Sequence, residues 1–339
     1  MTHSSSPALA NLGEFGLIAR IAANVFTDES VVTGIGDDAA VTALSAGMQL
    51  LTSTDMLLEG VHFRCGWHDP FRLGRKSLAV SISDIAAMGG LPRWALLSLA
   101  IPPDLPLDFI DNFMRGFLAM ASENMVALIG GDTCSSRSGL TISVTILGEQ
   151  YPDRIVRRSG ALPDDDIWVT GTLGDAALGL TLLEDDGTTQ GVDGSVFLIS
   201  RLLDPTPRVA AGRALAETGL VTAMIDISDG VLADYGHIAE QSCAGGCICL
   251  DDIPLSGSFR RQTANLSSVP YQLALSGGED YELCFTAGHS HREKIEECVK
   301  KCGIAVTRIG IVTSCPGVTV INPDGSLYSA KTEGFNHFT

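Results

Sequence analysis

Gly34-Ile35-Gly36-Asp37-Asp38-Ala39-Ala40-Val41, with Ser53-Thr54-Asp55 shortly after it, is the stretch around which the chain reads. Two adjacent carboxylates follow a Gly-x-Gly, a pattern that lets backbone come close to a ligand. A third, Asp55, follows the short apolar run Met48 to Thr52. Acids gathered at loop and strand ends repel: at about 4 Å and an effective dielectric near 20, each like-charged pair costs on the order of 4 kcal/mol. Two readings account for the stretch equally well. Either Asp37 and Asp38 make a turn that Asp55 caps, or the three acids hold a divalent cation. Only recurrence of the pattern downstream separates them.

The totals narrow the field. A chain of 339 residues predicts two domains, each able to bury a core. Its apolar share of 45% and charged share of 18% are those of an ordinary globular protein. A net charge of −18 argues against nucleic acid or an anionic membrane as partner. It would also repel a phosphate substrate, a difficulty that bound metal ions remove. The nine scattered cysteines read as reduced thiols of a cytoplasm. Met1 to Asn11 lacks a basic and then a long apolar region, so no signal peptide is expected, and no apolar run is long enough to span a membrane.

Along the chain, Phe15 to Phe26 carries apolar residues at helical spacing, and Lys76 to Met88 predicts a helix stopped by Gly89-Gly90. In that helix Ser77, Ser81 and Asp84 form a narrow polar ridge beside Leu78, Ile82 and Ile85. A solvated face would carry Lys, Glu and Arg, so the ridge reads as aimed at a site. Trp94 to Ile101 predicts a buried strand and Leu107 to Met125 an amphipathic helix whose stripe (Ile110, Phe113, Met114, Phe117, Met120) is core. Val126 to Ile129 enters Gly130-Gly131-Asp132-Thr133, a fourth acid at a strand end, and Thr141 to Leu147 alternates as a strand.

The polar run around Arg157-Arg158-Ser159-Gly160 and Pro163-Asp164-Asp165-Asp166 predicts a linker, with domains at 1–149 and 150–339. Ile167 to Thr170, Gly171-Thr172-Leu173-Gly174-Asp175 and a following helix through Leu183 make a strand, glycine loop and helix N-terminus suited to an anion, though without the lysine of a P-loop. Asp186 to Gly194 is a polar loop, and Pro205 to Thr218 predicts a helix. Ala223 to Gly230 puts Asp226 and Ser228 on one strand face and Asp229 at the N-cap of a helix Val231 to Gln241. Ser276-Gly277-Gly278-Glu279-Asp280-Tyr281-Glu282 is a glycine–acid loop before the strand Leu283 to Thr286. Further strands are expected near Ala305 to Val312 and Val318 to Ile321. Cys243, Cys247 and Cys249 match no common zinc spacing, and Cys298 and Cys302 read as packing residues one helical turn apart.

Asp38, Asp55, Asp84, Asp132, Asp226 and Asp229, with Ser53, Thr54 and Ser228 beside them, are hard oxygen donors without matched His or Cys. That set suits Mg²⁺, which bridges carboxylates to substrate phosphates. The expectation is that they converge on nucleotide polyphosphate chemistry.

The same motifs, with Gly13-Glu14-Phe15, His62-Phe63, Ser83 to Gly89, Arg158-Ser159-Gly160-Ala161, Val169-Thr170-Gly171 and Gly334-Phe335-Asn336-His337-Phe338, run in order over nearly the whole chain. They resemble the thiamine-monophosphate kinases, relatives of aminoimidazole ribonucleotide synthetase and selenophosphate synthetase. The resemblance implies an α/β (α+β) architecture: an N-terminal domain that dimerises through a β-barrel, a C-terminal α/β domain, and nucleotide in the cleft between. It implies ATP-dependent phosphorylation of thiamine monophosphate to thiamine diphosphate by direct in-line transfer, with Mg²⁺ as cofactor and a homodimer as assembly. Asp38, Ser53, Thr54, Asp55, Asp84, Asp132, Asp226 and Asp229 would hold Mg²⁺, with Asp84, Asp55, Asp132 and Asp226 the catalytic acids. Gly131, Asp132, Arg158 and Ser228 would hold ATP; His62, Glu279 and Phe335 would hold the thiamine phosphate. An aromatic such as Phe335 suits a cationic thiazolium, and Arg158 suits a polyphosphate. The rivals are a sister synthetase that cyclises through a phosphorylated intermediate, and a binding module that retains nucleotide without turnover.

Overall fold

The computed structural model describes residues 9–185, 194–266 and 270–329. It divides into two compact units, one running to Ile85 and taking up again from Leu91 to Pro152, the other made of Ala86–Gly90 and the chain from Asp153 on.

The first unit opens with α1 (Leu9–Ala22), which bends at Gly13, earlier at both ends than the apolar spacing predicts. The short strands β1 (Val31–Thr33) and β2 (Val41–Thr42) pair antiparallel and enclose the Gly34–Ala40 loop. Then come β3 (Gln49–Leu58), α2 (Pro70–Ala87), β4 (Leu91–Ile101), α3 (Leu107–Glu123), β5 (Ala127–Ser135) and β6 (Thr141–Gln150). These strands form a four-stranded sheet in the order β3-β6-β4-β5, in which only β4 and β5 run parallel. It is an open sheet within the single chain. One face takes α2, where Ile85 lies so close over Gly148 of β6 that a Cβ there would sit 2.6 Å from it. Toward the other lies Trp94 of β4, fully buried with Ala127 and Ile129 against Val31 and Ala40. Its indole N–H donates to Ser30 Oγ at 3.0 Å, so the ring is buried without stranding its donor. Burying each large apolar side chain of this kind stabilises the unit by roughly 1.5–3 kcal/mol.

The second unit runs β7 (Asp165–Thr170), α4 (Asp175–Glu184), α5 (Ser195–Leu203), α6 (Val209–Thr218), β8 (Val221–Asp226), α7 (Val231–Gln241), β9 (Gly245–Cys249), α8 (Gly257–Gln262), α9 (Tyr271–Ser276), β10 (Leu283–Gly288), α10 (Arg292–Lys301), β11 (Val306–Thr313) and β12 (Gly317–Ile321). Its six strands lie in the order β12-β9-β11-β7-β10-β8, antiparallel except β12 with β9. The central strand β7 is buried along its whole length because apolar layers cover both sheet faces. On one side Ile167, Val169 and Ile225 pack with Tyr235 and Ile238 of α7. On the other Trp168 stacks on Phe285 at 6.3 Å, beside Leu215 of α6 and Ile295 of α10.

Several elements differ from the sequence reading. Helix α2 starts at Pro70, ahead of Lys76, because Asp69 accepts the Arg72 N–H and opens the helix there. Helix α6 starts at Val209 rather than Pro205, and α5, α8 and α9 are short helices that periodicity did not resolve. Asp55 and Asp132 lie inside β3 and β5, not at strand ends, since both strands go on pairing with their neighbours past these residues, β5 after a register shift ahead of Gly130.

Candidate functional site

In the first unit, β3 and α2 bring two acids together. On β3, Ser53 and Asp55 project from the same face, and they meet the polar ridge of α2. Ser53 donates its hydroxyl to Asp84, and Ser81 donates to Asp55 at 2.6 Å. Burial, then the charge of Asp84, pushes the Asp55 carboxyl up to about 6, and the Ser81 hydroxyl offsets only part of that rise. The pair is therefore a place where negative charge is held under repulsion. Ser77, the third ridge residue, does not join it: its hydroxyl turns back to the Leu73 carbonyl at 2.7 Å within its own helix. Thr54, on the opposite face of β3, lies 3.0 Å from the Thr145 hydroxyl of β6.

Thr145 in turn borders an open cavity of about 980 Å³, lined also by Asp37, Asp38, Gly131, Asp132 and apolar residues including Phe15 and Leu147. Both acid stretches of the first unit that follow glycines thus border one hollow, with Asp37, Asp38 and Asp132 exposed to it. Asp37 accepts the Asp38 N–H at 2.8 Å, as the turn reading of this stretch expects. Gly131 has a structural reason to be glycine: at φ 153 a Cβ would drive into the Leu97 carbonyl of the parallel neighbour strand. His62 accepts the Leu58 N–H on Nδ1 at 3.0 Å, which puts the proton of its neutral ring on Nε2.

In the second unit, Asp226 ends β8 fully buried, and Ser228 and Asp229 follow half-buried. Asp229 is not the N-cap of α7. That position is Gly230, and no side chain caps it. Asp234, one turn inside the helix, does the work instead: one of its oxygens accepts the N–H groups of Ser228, Asp229 and Gly230 at 3.0, 3.1 and 3.1 Å. Burial, then the charge of Asp226, pushes the Asp234 carboxyl up to about 8. The Ser276–Glu282 loop lies alongside, with the Glu279 N–H on the Ser228 carbonyl and the Tyr281 N–H on that of Ile227, each 2.8 Å.

Two buried acids fix that loop from behind. Asp280 accepts the Gly174 N–H at 2.8 Å, and burial pushes its carboxyl up to about 8. This overturns the anion-site reading of Gly171 to Asp175, because the chain's own acid occupies the start of α4. Glu282 accepts from Thr170 at 2.7 Å, from Arg201 at 2.9 Å and from both arms of Arg208, one of them at 2.6 Å. Sequence reasoning missed Asp234, Arg201 and Arg208. The signal for Asp234 was an acid inside the apolar run Val231-Leu232-Ala233-Asp234-Tyr235, a position that needs a partner; the arginines carried none.

The Arg158 side chain is exposed, while Ser242 Oγ accepts the Gly160 and Ala161 N–H groups next to it, at 3.1 Å each. Phe335 and residues 186–193 of the polar loop lie outside the described residues. Among the described residues no three His, Cys, Asp or Glu side chains stand close enough to hold a metal unaided. Cys243, Cys247 and Cys249 are free thiols. No described helix is long and apolar enough to cross a membrane.

Comparisons with known proteins cover almost the entire chain. Residues 36–150 match the model of the AIR synthase related protein N-terminal domain, and residues 163–322 that of its C-terminal domain. The thiamine-monophosphate kinase of Salmonella typhimurium is 38% identical over 328 residues, covering 96% of this chain and 98% of the relative. A crystal structure of thiamine-monophosphate kinase from Stenotrophomonas maltophilia superposes with a TM-score of 0.83 at 40% identity, over 93% of this chain and 98% of that one. A structure of AaThiL complexed with AMPPCP and TMP superposes with a TM-score of 0.77 at 35% identity, over 99% of this chain and 100% of that one.

Proposed function

The chain belongs to the AIR synthase related proteins and, among them, to the thiamine-monophosphate kinases, and on that premise we propose that it phosphorylates thiamine monophosphate at the expense of ATP. A terminal phosphate oxygen of thiamine monophosphate attacks the γ-phosphorus, the bond from that phosphorus to the β-bridging oxygen breaks, and ADP leaves with the electron pair. No phosphoenzyme is needed, since nothing in such transfer requires a protein nucleophile. The observation that carries the reading is the Asp55–Asp84 pair, two acids held beside each other by serine hydroxyls so that Asp55 rises to about 6.

Mg²⁺ fits the donors. The first unit offers Asp38, Ser53, Thr54, Asp55, Asp84 and Asp132 and the second Asp226 and Asp229, all hard oxygens. Mg²⁺ takes one or two carboxylates and completes its shell with water and phosphate oxygens, which suits a pair such as Asp55 and Asp84. When bound, Mg²⁺ neutralises polyphosphate charge and steadies the developing charge of the transfer. Gly131, Asp132, Arg158 and Ser228 are assigned to ATP, with the exposed guanidinium of Arg158 able to clamp phosphates in two-point fashion. His62, Glu279 and Phe335 are assigned to thiamine monophosphate. The working form is a homodimer in a cytoplasm, in keeping with nine free thiols and with apolar side chains such as Leu50 and Met56 left exposed on β3.

The test is ADP release from ATP and Mg²⁺ with and without thiamine monophosphate, and with free thiamine in its place. The reading expects release only with the monophosphate, matched by thiamine diphosphate. Release independent of it, or robust turnover of thiamine itself, would sink the assignment.

A further inference from the structure

We infer that Asp234 is a positioning residue that sets Ser228, Asp229 and Glu279 in one arrangement for metal and substrate. What those three residues do rests on the kinase reading; that Asp234 holds them rests on the geometry alone. The side chain is 2% exposed and lies one turn into α7, away from any role assigned above. Its single oxygen gathers three successive N–H groups, those of Ser228, Asp229 and Gly230. The carbonyls of the same turn are taken from the other side, Ile227 by the Tyr281 N–H and Ser228 by the Glu279 N–H. The turn is thus clamped between one carboxyl and the loop that carries Glu279.

Little slack exists in this clamp. Gly230 sits at φ 111, and a Cβ on it would lie 2.7 Å from the Ser276 carbonyl carbon. A Cβ on Gly278 would run into the Ser228 carbonyl oxygen. Glu279 and Tyr281 hold positive φ angles of 72° and 49°, which non-glycine residues adopt only when the surroundings impose them. Loosening the Ser228–Gly230 backbone therefore frees Glu279 as well. An asparagine in its place would accept the same N–H groups through its amide oxygen, so the role needs an acceptor there and not a charge.

The experiment uses the full chain with Asp234→Ala and Asp234→Asn. Amide hydrogen exchange at residues 228–230 is measured without metal, and Mn²⁺ binding is titrated in the presence of a non-hydrolysable ATP analogue, well below the melting temperature. Asp234→Ala is expected to speed exchange at these amides by about tenfold or more, the loss of one good hydrogen bond. It is expected to weaken Mn²⁺ binding by a similar factor, while Asp234→Asn stays within about threefold of the parent in both. If Asp234→Ala does not fold, Asp234→Ser, whose hydroxyl cannot span the three N–H groups, takes its place with the same expectation. Faster exchange with unchanged Mn²⁺ binding would make Asp234 merely structural and overturn the inference, as would unchanged exchange. A parent protein that binds neither Mn²⁺ nor the analogue would instead count against the kinase reading, and the exchange result would still decide whether Asp234 holds the turn.

Discussion

The two units hold their acids by different means. In the first, Asp55 and Asp84 stand on a regular strand and a regular helix, and each is tied by one serine hydroxyl. In the second, Ser228, Asp229 and Glu279 stand on loops, and buried carboxyls further along the chain fix the backbone rather than the side chains. A regular element positions a side chain through its period alone. A loop has no period, so its backbone N–H and C=O groups must each be given a partner. The first arrangement sets two acids against each other at the site itself; the second buries carboxyls behind it, at Asp234 and Asp280, where burial is the main cost.

The contrast makes opposite demands on substitution. In the first unit function should fail before stability. Asp84→Asn should cut thiamine diphosphate formation on the order of 10² to 10³, the cost of losing one preorganised charge-stabilising group. The melting temperature of the metal-free protein should hold or rise, since the repulsion on Asp55 is relieved. In the second unit stability should fail first. Arg208→Met leaves Glu282 buried with half its cationic partners, and chemical unfolding should register a loss of about 3 kcal/mol.

A pH series sharpens the comparison further. Asp55 is raised to about 6 and Asp280 to about 8, so the native state keeps protons that the unfolded chain gives up near its ordinary carboxylate range, about pH 4. That stabilisation is complete below the unfolded value and is lost as pH rises through the folded values. Without Mg²⁺ the melting temperature should therefore fall from pH 5 to pH 8. Mg²⁺ should restore the share that Asp55→Asn also restores and leave the Asp280 share in place. A flat profile would break the claim that these acids carry strain. The smallest effect belongs to Ser77→Ala, which removes a hydroxyl bonded only within its own helix. Stability should change by about 1 kcal/mol or less and turnover not at all.

Ser77 also marks where sequence reading reached its limit. Helical spacing put Ser77, Ser81 and Asp84 on one ridge, and two of the three do meet β3. Spacing gives direction but not reach, and the first turn of the ridge lies away from the acids. The core stripe of α3 was legible because Ile110, Phe113, Phe117 and Met120 repeat at a period that only burial explains, and all are buried. The Asp84 ridge was legible for the same reason, as polarity where a buried helix should have none. The clamp around Ile227–Gly230 was not. Asp234 and Glu282 find their partners in backbone groups and in arginines far along the chain, and no local period announces a hydrogen bond to a turn. Asp229 was misjudged as a cap because an aspartate before a helix usually is one; a carboxyl inside the helix had already taken the N–H groups.

The account stands most directly on whether Asp55 and Asp84 hold a metal. Mn²⁺ titrated into the full-length protein with a non-hydrolysable ATP analogue and thiamine monophosphate, counted by electron paramagnetic resonance, answers this for the parent and for Asp84→Asn. The account predicts that the variant binds at least one ion fewer than the parent. Equal numbers bound at equal affinity would contradict it.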